Sequence, residues 1–172
     1  LVFFAVNRQT FGDYKYMDPA NEYNRVFVIE YNLASADNSL TGKFYLHKSL
    51  QPDDTKGNYS WQTTITWQPR KFNYILDFQY VDEDFRADLG FVQRTGVLKN
   101  GNGFSYNFYP KSGKVSRHSP GAMALYYWRP DMDWKKSDHV YNLYYSINFT
   151  NQSTLRADYR NNYVYLTHGF DP

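Results

Sequence analysis

The sequence predicts an all-β fold: an antiparallel, up-and-down transmembrane β-barrel with about nine strands in this chain. Three observations lead to this prediction: apolar and polar side chains alternate, several alternating segments reach about 10 residues, and aromatic residues are abundant in a hydrophilic chain. Tyrosine (18), phenylalanine (13) and tryptophan (4) make up 20% of the 172 residues, yet the mean hydropathy is −0.72. A transmembrane barrel has such a composition because polar residues facing its lumen dilute those facing lipid.

The segment 58–68 has the clearest alternation. One face carries Tyr59, Trp61, Thr63, Ile65 and Trp67, and the other carries serine, threonine and glutamine. At about 3.3 Å per residue, the rings at the two ends lie about 26 Å apart, which is close to the height of the apolar band of an outer-membrane barrel. The alternation therefore predicts a lipid-facing aromatic girdle made of Tyr59, Trp61, Trp67, Phe72, Tyr80, Tyr141 and Phe149.

The other predicted strands follow the same period of two. They are the segments 1–8, 23–33, 40–49, 71–82, 103–109, 115–128, 140–149 and 153–165. Their length favours a membrane strand of about 9–11 residues over a soluble strand of about 5–6 residues. Their polar faces carry mostly serine, threonine, asparagine, glutamine and tyrosine, which suits a crowded lumen better than open solvent.

The connections between these strands alternate in length. Short turns are predicted at 36–38, 68–70 and 111–113, where the residues have typical turn chemistry, and longer loops at 9–22 and 50–56. Outer-membrane barrels have this rhythm, with short periplasmic turns and longer outer loops. The ambiguous segment 83–100 keeps the rhythm only if it is one long outer loop, so we predict a loop there.

The bulk composition excludes several classes of function. The net charge of +2, with scattered lysine and arginine, argues against nucleic-acid binding. There is no cysteine, and the four histidines show no metal-ligand spacing, so no metal, cofactor or catalytic residue is assigned. The sequence contains no run of 18 apolar residues, which a membrane-spanning helix would require. The length corresponds to a single domain, 1–172.

Charged residues cluster most densely in the segment 82–94. Asp84, Arg86, Asp88 and Arg94 could form a lumen constriction or a cation or sugar site. They could equally be a loop held by its own arginine–carboxylate pairs, and we favour that interpretation.

A second candidate site lies around two tryptophans. Trp128 and Trp134, with Asp131 and Asp133, could stack on and hydrogen-bond a sugar. The alternative, which we favour, is an interface tryptophan pair flanking a solvated loop.

Several stretches resemble the C-terminal barrel domain of a Bacteroidota envelope family of unknown function. They are the segments 23–60, 80–96, 108–121 and 161–166, and the most specific part is Asp-Phe-Arg-Ala-Asp-Leu-Gly-Phe-Val at 84–92. In that family a module similar to family 9 carbohydrate-binding modules precedes a longer barrel domain, and no catalytic residues are established. The resemblance implies that this chain, which ends at 169–172 without a terminal aromatic residue, is an internal portion of a larger barrel.

Together these observations predict a bacterial outer-membrane protein that is not an enzyme. It would act as a channel, an envelope scaffold or a subunit of an outer-membrane complex. Its partners would be outer-membrane lipid and other envelope proteins or glycans, with no nucleic acid. Two alternatives stay open: a soluble carbohydrate-binding β-sandwich, and a hydrolase whose catalytic residues are carried by a barrel.

Overall fold

The computed structural model describes residues 1–12, 15, 18–52 and 57–166. These residues form one antiparallel sheet of nine strands in sequence order. The strands are β1 (Val2–Gln9), β2 (Tyr23–Ala34), β3 (Leu40–Leu50), β4 (Tyr59–Trp67), β5 (Phe72–Val81), β6 (Val97–Tyr106), β7 (Val115–Arg129), β8 (Lys135–Phe149) and β9 (Thr154–Tyr163). The predicted all-β, up-and-down topology and the number of nine strands are confirmed. The sheet is not closed into a barrel, because β1 and β9 are its two edges.

Helical structure in the described part of the chain is limited to two short 3-10 helices, Pro19–Asn21 and Pro130–Met132. Neither is long and apolar enough to cross a membrane. The predicted chain end at 169–172 lies outside the described residues.

The connections separate the sheet into two ends. The turn end holds the connections 35–39, 68–71, 107–114 and 150–153, and the loop end holds 10–22, 51–58, 82–96 and 130–134. The turn at 35–39 is closed by Asp37, which accepts hydrogen bonds from the Ser35 hydroxyl at 2.6 Å and the Ser39 amide at 3.1 Å. The predicted alternation of short and long connections holds from 10–22 to 82–96. It fails after that, because the connection predicted to be long at 129–138 is reduced to 130–134, which is shorter than the turn-end connection 107–114.

Two predicted boundaries were wrong. The long loop ends at 96 rather than 100, because β6 begins at Val97. Two of its outward residues, Asn100 and Asn102, are polar and so hide the apolar alternation. Strand β8 begins at Lys135 rather than 140. There the alternation is hidden by an irregularity in the pairing with β7 next to Trp128.

The strand register gives the sheet two distinct faces. One row of directly opposed residues runs Leu46, Trp61, Tyr80, Leu98 and Trp128. The neighbouring rows on this side also carry aromatic and aliphatic residues, with Thr63, Asn100 and Asn102 among them. We call this side the outer face. We call the opposite side, which the 82–96 connection covers, the inner face, and that connection the inner loop.

Charge on the outer face is confined to its loop end. Its charged strand residues are Arg25, Lys48 and Lys136, and each cation lies over a tyrosine ring, with distances to the ring centroid of 4.6, 4.3 and 5.8 Å. No aspartate or glutamate lies on this face in the strands as described. Away from the loop end, the outer face of the described strands therefore carries no lysine, arginine, aspartate or glutamate.

Candidate functional site

The inner loop is fixed to the inner face by an apolar contact. Phe85 is 6% exposed and packs against Val26 and Val28 of β2 and Val81 of β5. The half-buried Ala87 and Val92 extend this cluster along the loop. The cluster is the largest apolar core among the described residues, so the inner loop belongs to the folded structure.

Hydrogen bonds between side chains of the sheet and the backbone of the loop continue this attachment. The carbonyl oxygen of Arg86 accepts hydrogen bonds from Asn24 Nδ2 at 3.1 Å and from the Ser49 hydroxyl at 2.7 Å. In return, Asn24 Oδ1 accepts a hydrogen bond from the Asp88 amide at 3.0 Å. Since Asn24 and Ser49 are buried, their polar groups depend on the inner loop for these partners.

Ion pairs complete the attachment on the same side. Arg8 Nη2 of β1 lies 2.6 Å from Asp88 Oδ2, and Arg86 Nε lies 2.5 Å from Asp88 Oδ1. Partial burial by itself raises the pKa of the Asp88 carboxyl, but the hydrogen bonds from Arg86 and Arg8 outweigh it, and the net pKa lies below its usual value. Three of the predicted residues, Arg86, Asp88 and Arg94, thus serve to anchor the loop, whereas Asp84 is exposed.

A separate anchor holds the far end of the inner loop. Arg94 Nη1 lies 2.6 Å from Asp138 Oδ2 of β8. Asp138 also accepts hydrogen bonds from the Ser137 hydroxyl and the Tyr165 amide, both at 2.9 Å. The loop therefore crosses the inner face from β1–β3 to β8.

A cavity of about 650 Å³ lies around the inner loop. Every strand contributes to its lining, for example through Phe4, Val26, His47, Ser60, Gln79, Lys99, Tyr127, Val140 and Tyr163. Because a flat sheet could not bring all nine strands to one cavity, the sheet curls around the loop. Leu89 and Phe91, between the two anchors, are 65% and 91% exposed. Mainly apolar cavities of this size, with a few polar groups, are typical ligand sites.

A belt of polar and charged residues crosses the middle of the inner face. Asp77 lies 2.6 Å from Lys99 Nζ and accepts a hydrogen bond from Gln62 Nε2 at 2.5 Å. Farther along the belt, Glu30 lies 3.7 Å from Lys43 Nζ. The charged side chains of this belt can be solvated by water, whereas the outer face carries no lysine, arginine, aspartate or glutamate at the same height.

The tryptophans of the second candidate site lie beside tyrosine rings, and its aspartates belong to the short helical turn before β8. Trp128 faces outward beside Tyr126, with ring centroids 5.7 Å apart, and Trp134 lies 6.1 Å from the ring of Tyr80. Asp131 instead pairs with Arg129 at 2.5 Å, and this hydrogen bond lowers the pKa of its carboxyl. Asp133, in the left-handed conformation, closes the short helix before β8.

The seven residues predicted as a girdle all lie on the outer face. They are Tyr59, Trp61, Trp67, Phe72, Tyr80, Tyr141 and Phe149. Trp67 and Phe72 meet edge to face at the turn end, 4.7 Å between centroids. Trp61 and Tyr80 lie toward the loop end, 6.2 Å apart.

The residues that sequence reasoning missed are the partners of the loop. Arg8, Asn24, Ser49, Phe85 and Asp138 are far apart in the sequence and none belongs to a motif. One signal was available: apolar residues such as Val26, Val28 and Val81 point to the inner face between its polar residues, which indicates a covering element.

Two histidines in the part of the chain that the structure describes lie beside tyrosine side chains. No group of three potential metal ligands is found there. His47 stacks on Tyr45, with centroids 4.3 Å apart, and its Nε2 lies 4.0 Å from Glu30. His118 Nδ1 lies 2.6 Å from the Tyr145 hydroxyl on the outer face.

Comparisons with known proteins gave no match. No protein-family model matches the chain, no curated protein is similar to it, and no solved structure matches its fold. The resemblance to a Bacteroidota envelope family therefore stays a prediction, and the functional inference depends on the geometry above.

Acidification is expected to release the inner loop. Because the pKa of Asp88 is lower in the folded protein than in the unfolded chain, its ion pairs stabilise the docked loop above the unfolded value of about 3.9. That contribution is lost as the pH falls through the folded value. Hydrogen exchange of the 82–96 amides, corrected for the intrinsic rate at each pH, should report the release.

The control for this prediction is another aspartate of the same loop. Asp88→Asn should weaken docking at neutral pH and abolish most of the acid-dependent change. Asp84→Asn, at an exposed position, should leave both unchanged. An identical pH profile for Asp88→Asn and the unmodified protein would contradict the assignment.

Proposed function

We propose that this chain forms the wall of an outer-membrane β-barrel whose interior is a solute passage narrowed by the inner loop. The observation that carries the proposal is the contrast between the two faces of one sheet. The outer face is rich in aromatic and aliphatic residues and has no acidic or basic strand residue in its middle, whereas the inner face carries ion pairs at the same height.

The outer face supports contact with lipid. Exposed aromatic and aliphatic side chains lie on it in several strands, including Phe27, Ile29, Trp67, Phe104 and Leu143. Soluble monomers rarely expose an apolar patch of more than a few hundred Å², and no second sheet packs on this face among the described residues. Lysine and arginine side chains beside aromatic rings are typical of the interface between membrane and water. The cations at the loop end of this face are arranged in this way.

The inner face supports a passage. A loop folded into the interior and anchored on both sides narrows a lumen without closing it, and charged groups at such a constriction tune selectivity. The anchors Arg8–Asp88 and Arg94–Asp138 hold the loop in this position. The exposed Leu89 and Phe91 between them would meet a passing solute first.

The proposal requires that both sheet edges be paired. In a bilayer, an unpaired backbone amide or carbonyl costs several kcal/mol, so barrels leave no free edge. Strands β1 and β9 each have one unpaired side. The resemblance to a longer barrel domain agrees with this requirement, since further strands of that barrel would pair there.

Tryptophan fluorescence can test the proposal, because Trp61, Trp67 and Trp128 face outward and Trp134 lies beside the outward-facing Tyr80. The full-length protein would be reconstituted into vesicles with and without brominated phosphatidylcholine. We expect strong quenching by the brominated lipid and weak quenching by iodide in the water.

A variant with a single tryptophan tests whether one chosen position on the outer face contacts lipid. A protein that keeps only Trp61, with the other three tryptophans replaced by phenylalanine, should still be quenched by the lipid bromines. Efficient iodide quenching together with no effect of bromine would overturn the proposal, as would a folded full-length protein that stays soluble without detergent.

A further inference from the structure

We infer that the turn end of the inner face holds a binding site for a small organic anion, of the phosphate- or carboxylate-bearing class. This inference rests on the proposed function only in treating the inner face as a solute path. It is carried by a second cavity, separate from the one around the inner loop.

The second cavity has a volume of about 450 Å³ and a strongly polar lining. Three arginines line it, namely Arg70 from the β4–β5 turn, Arg117 from β7 and Arg156 from β9. Amide and hydroxyl groups of asparagine, glutamine and serine, with three aromatic rings, make up most of the rest, and the lining contains no aspartate or glutamate. The volume suits a small solute rather than a macromolecule.

Two of these arginines, Arg70 and Arg117, are held in place by neutral groups. Arg70 lies over the Tyr109 ring, 5.1 Å from its centroid, and its carbonyl oxygen accepts a hydrogen bond from the Tyr109 hydroxyl at 2.8 Å. With the Asn148 amide oxygen turned toward it, Arg117 donates to that oxygen from Nε at 3.1 Å and Nη2 at 3.0 Å. Held this way, the two guanidinium groups lose less side-chain entropy when they bind a ligand.

The charge of the cavity is not neutralised. Arg156 is paired with Asp158 through two contacts of 2.8 Å and lies 4.1 Å from the centroid of the Tyr144 ring. By contrast, no carboxylate within the described ranges lies within ion-pair distance of Arg70 or Arg117. These two guanidinium groups present an excess of positive charge to the cavity.

The difference in charge between the connections at the two ends of the sheet adds to this local excess of positive charge. The four turn-end connections contain the cations Arg70, Lys71, Lys111 and Lys114 but one acid, Asp37. The loop-end connections, in contrast, contain more acidic than basic residues. The resulting field draws anions toward the turn end and raises their local concentration there.

Guanidinium groups are suited to phosphate and carboxylate because their planar donors match two acceptor oxygens at once. Two unpaired arginines can therefore bind one anion, while the amide and hydroxyl groups around them can hydrogen-bond the neutral part of the molecule. This combination favours an anionic solute with polar substituents over a bare hydrocarbon acid.

Calorimetric titration of the full-length protein in a nonionic detergent tests the inference, with inorganic phosphate, glucose 6-phosphate and glucose as probes. We expect saturable binding of the two phosphates and none of glucose. Arg117→Gln and Arg70→Gln should each weaken phosphate binding by about 10-fold or more, since each removes a charge-assisted contact.

The matched control is Arg25→Gln, which removes a cation from the outer face at the loop end. It should leave phosphate binding unchanged. Absence of saturable phosphate binding by the unmodified protein, or equal weakening by Arg25→Gln and Arg117→Gln, would overturn the inference. Since the titration is done in detergent and does not measure lipid contact, failure here would be distinguishable from failure of the bromine-quenching test.

Discussion

Replacing Leu76 with arginine is expected to prevent stable insertion of the protein into a lipid bilayer. Leu76 lies in the middle of β5 on the outer face, opposite Ile65 and Asn102 in the adjacent strands. At the midplane of a membrane barrel, an arginine facing lipid costs about 2–4 kcal/mol. We therefore expect a fall of at least about 30-fold in the folding equilibrium constant in phosphatidylcholine vesicles, measured by urea titration.

The adjacent residue supplies the control. Ile75 is a residue of the same size at the same height of β5, but it lies on the inner face and is 38% exposed. Ile75→Arg should fold into vesicles nearly as well as the unmodified protein, because its charge would enter the interior. Equal losses for the two substitutions would remove the distinction between the faces on which the proposed function depends.

Replacing Phe85 with alanine is expected to free the inner loop. Phe85 is the most deeply buried side chain of the loop, and truncating a buried phenylalanine costs about 3–5 kcal/mol. The hydrogen-bonded sheet does not depend on this residue, so the loss should fall mainly on loop docking. We expect trypsin to cleave after Arg86 and Arg94 at least about 100-fold faster.

The matched control here is Phe91→Ala. Phe91 is in the same loop but is 91% exposed, so its removal should leave the cleavage rate unchanged. If Phe85→Ala resists trypsin as well as Phe91→Ala does, the apolar cluster does not hold the loop.

The strands and their two faces could be predicted because a β-strand shows its environment locally. Alternate side chains point to opposite sides, so Trp61 and Gln62 report two environments within two residues. The same property placed all seven predicted girdle residues on one face. The prediction was inaccurate where the pattern is weak, as at Leu98 and Asn100 in β6.

The position of the inner loop could not be predicted, because its partners come from distant parts of the sequence. The dense charges at 82–94 indicated a loop pinned by its own residues. In part this is so, since Arg86 pairs with Asp88, but Arg8 and Asp138 supply the partners that fix its path across the sheet. The residues within the segment 82–94 give no indication that Arg8 and Asp138 are its partners.

The two anchors of the inner loop have a consequence for the shape of the sheet. Because the loop is tied to Arg8 of β1 at one side and to Asp138 of β8 at the other, it acts as a strut across the curled wall. The length of that strut limits how far β1 and β8 can move apart. Lengthening the loop between Asp88 and Arg94 would allow the sheet to flatten, so a segment with no strand of its own governs the curvature of the sheet.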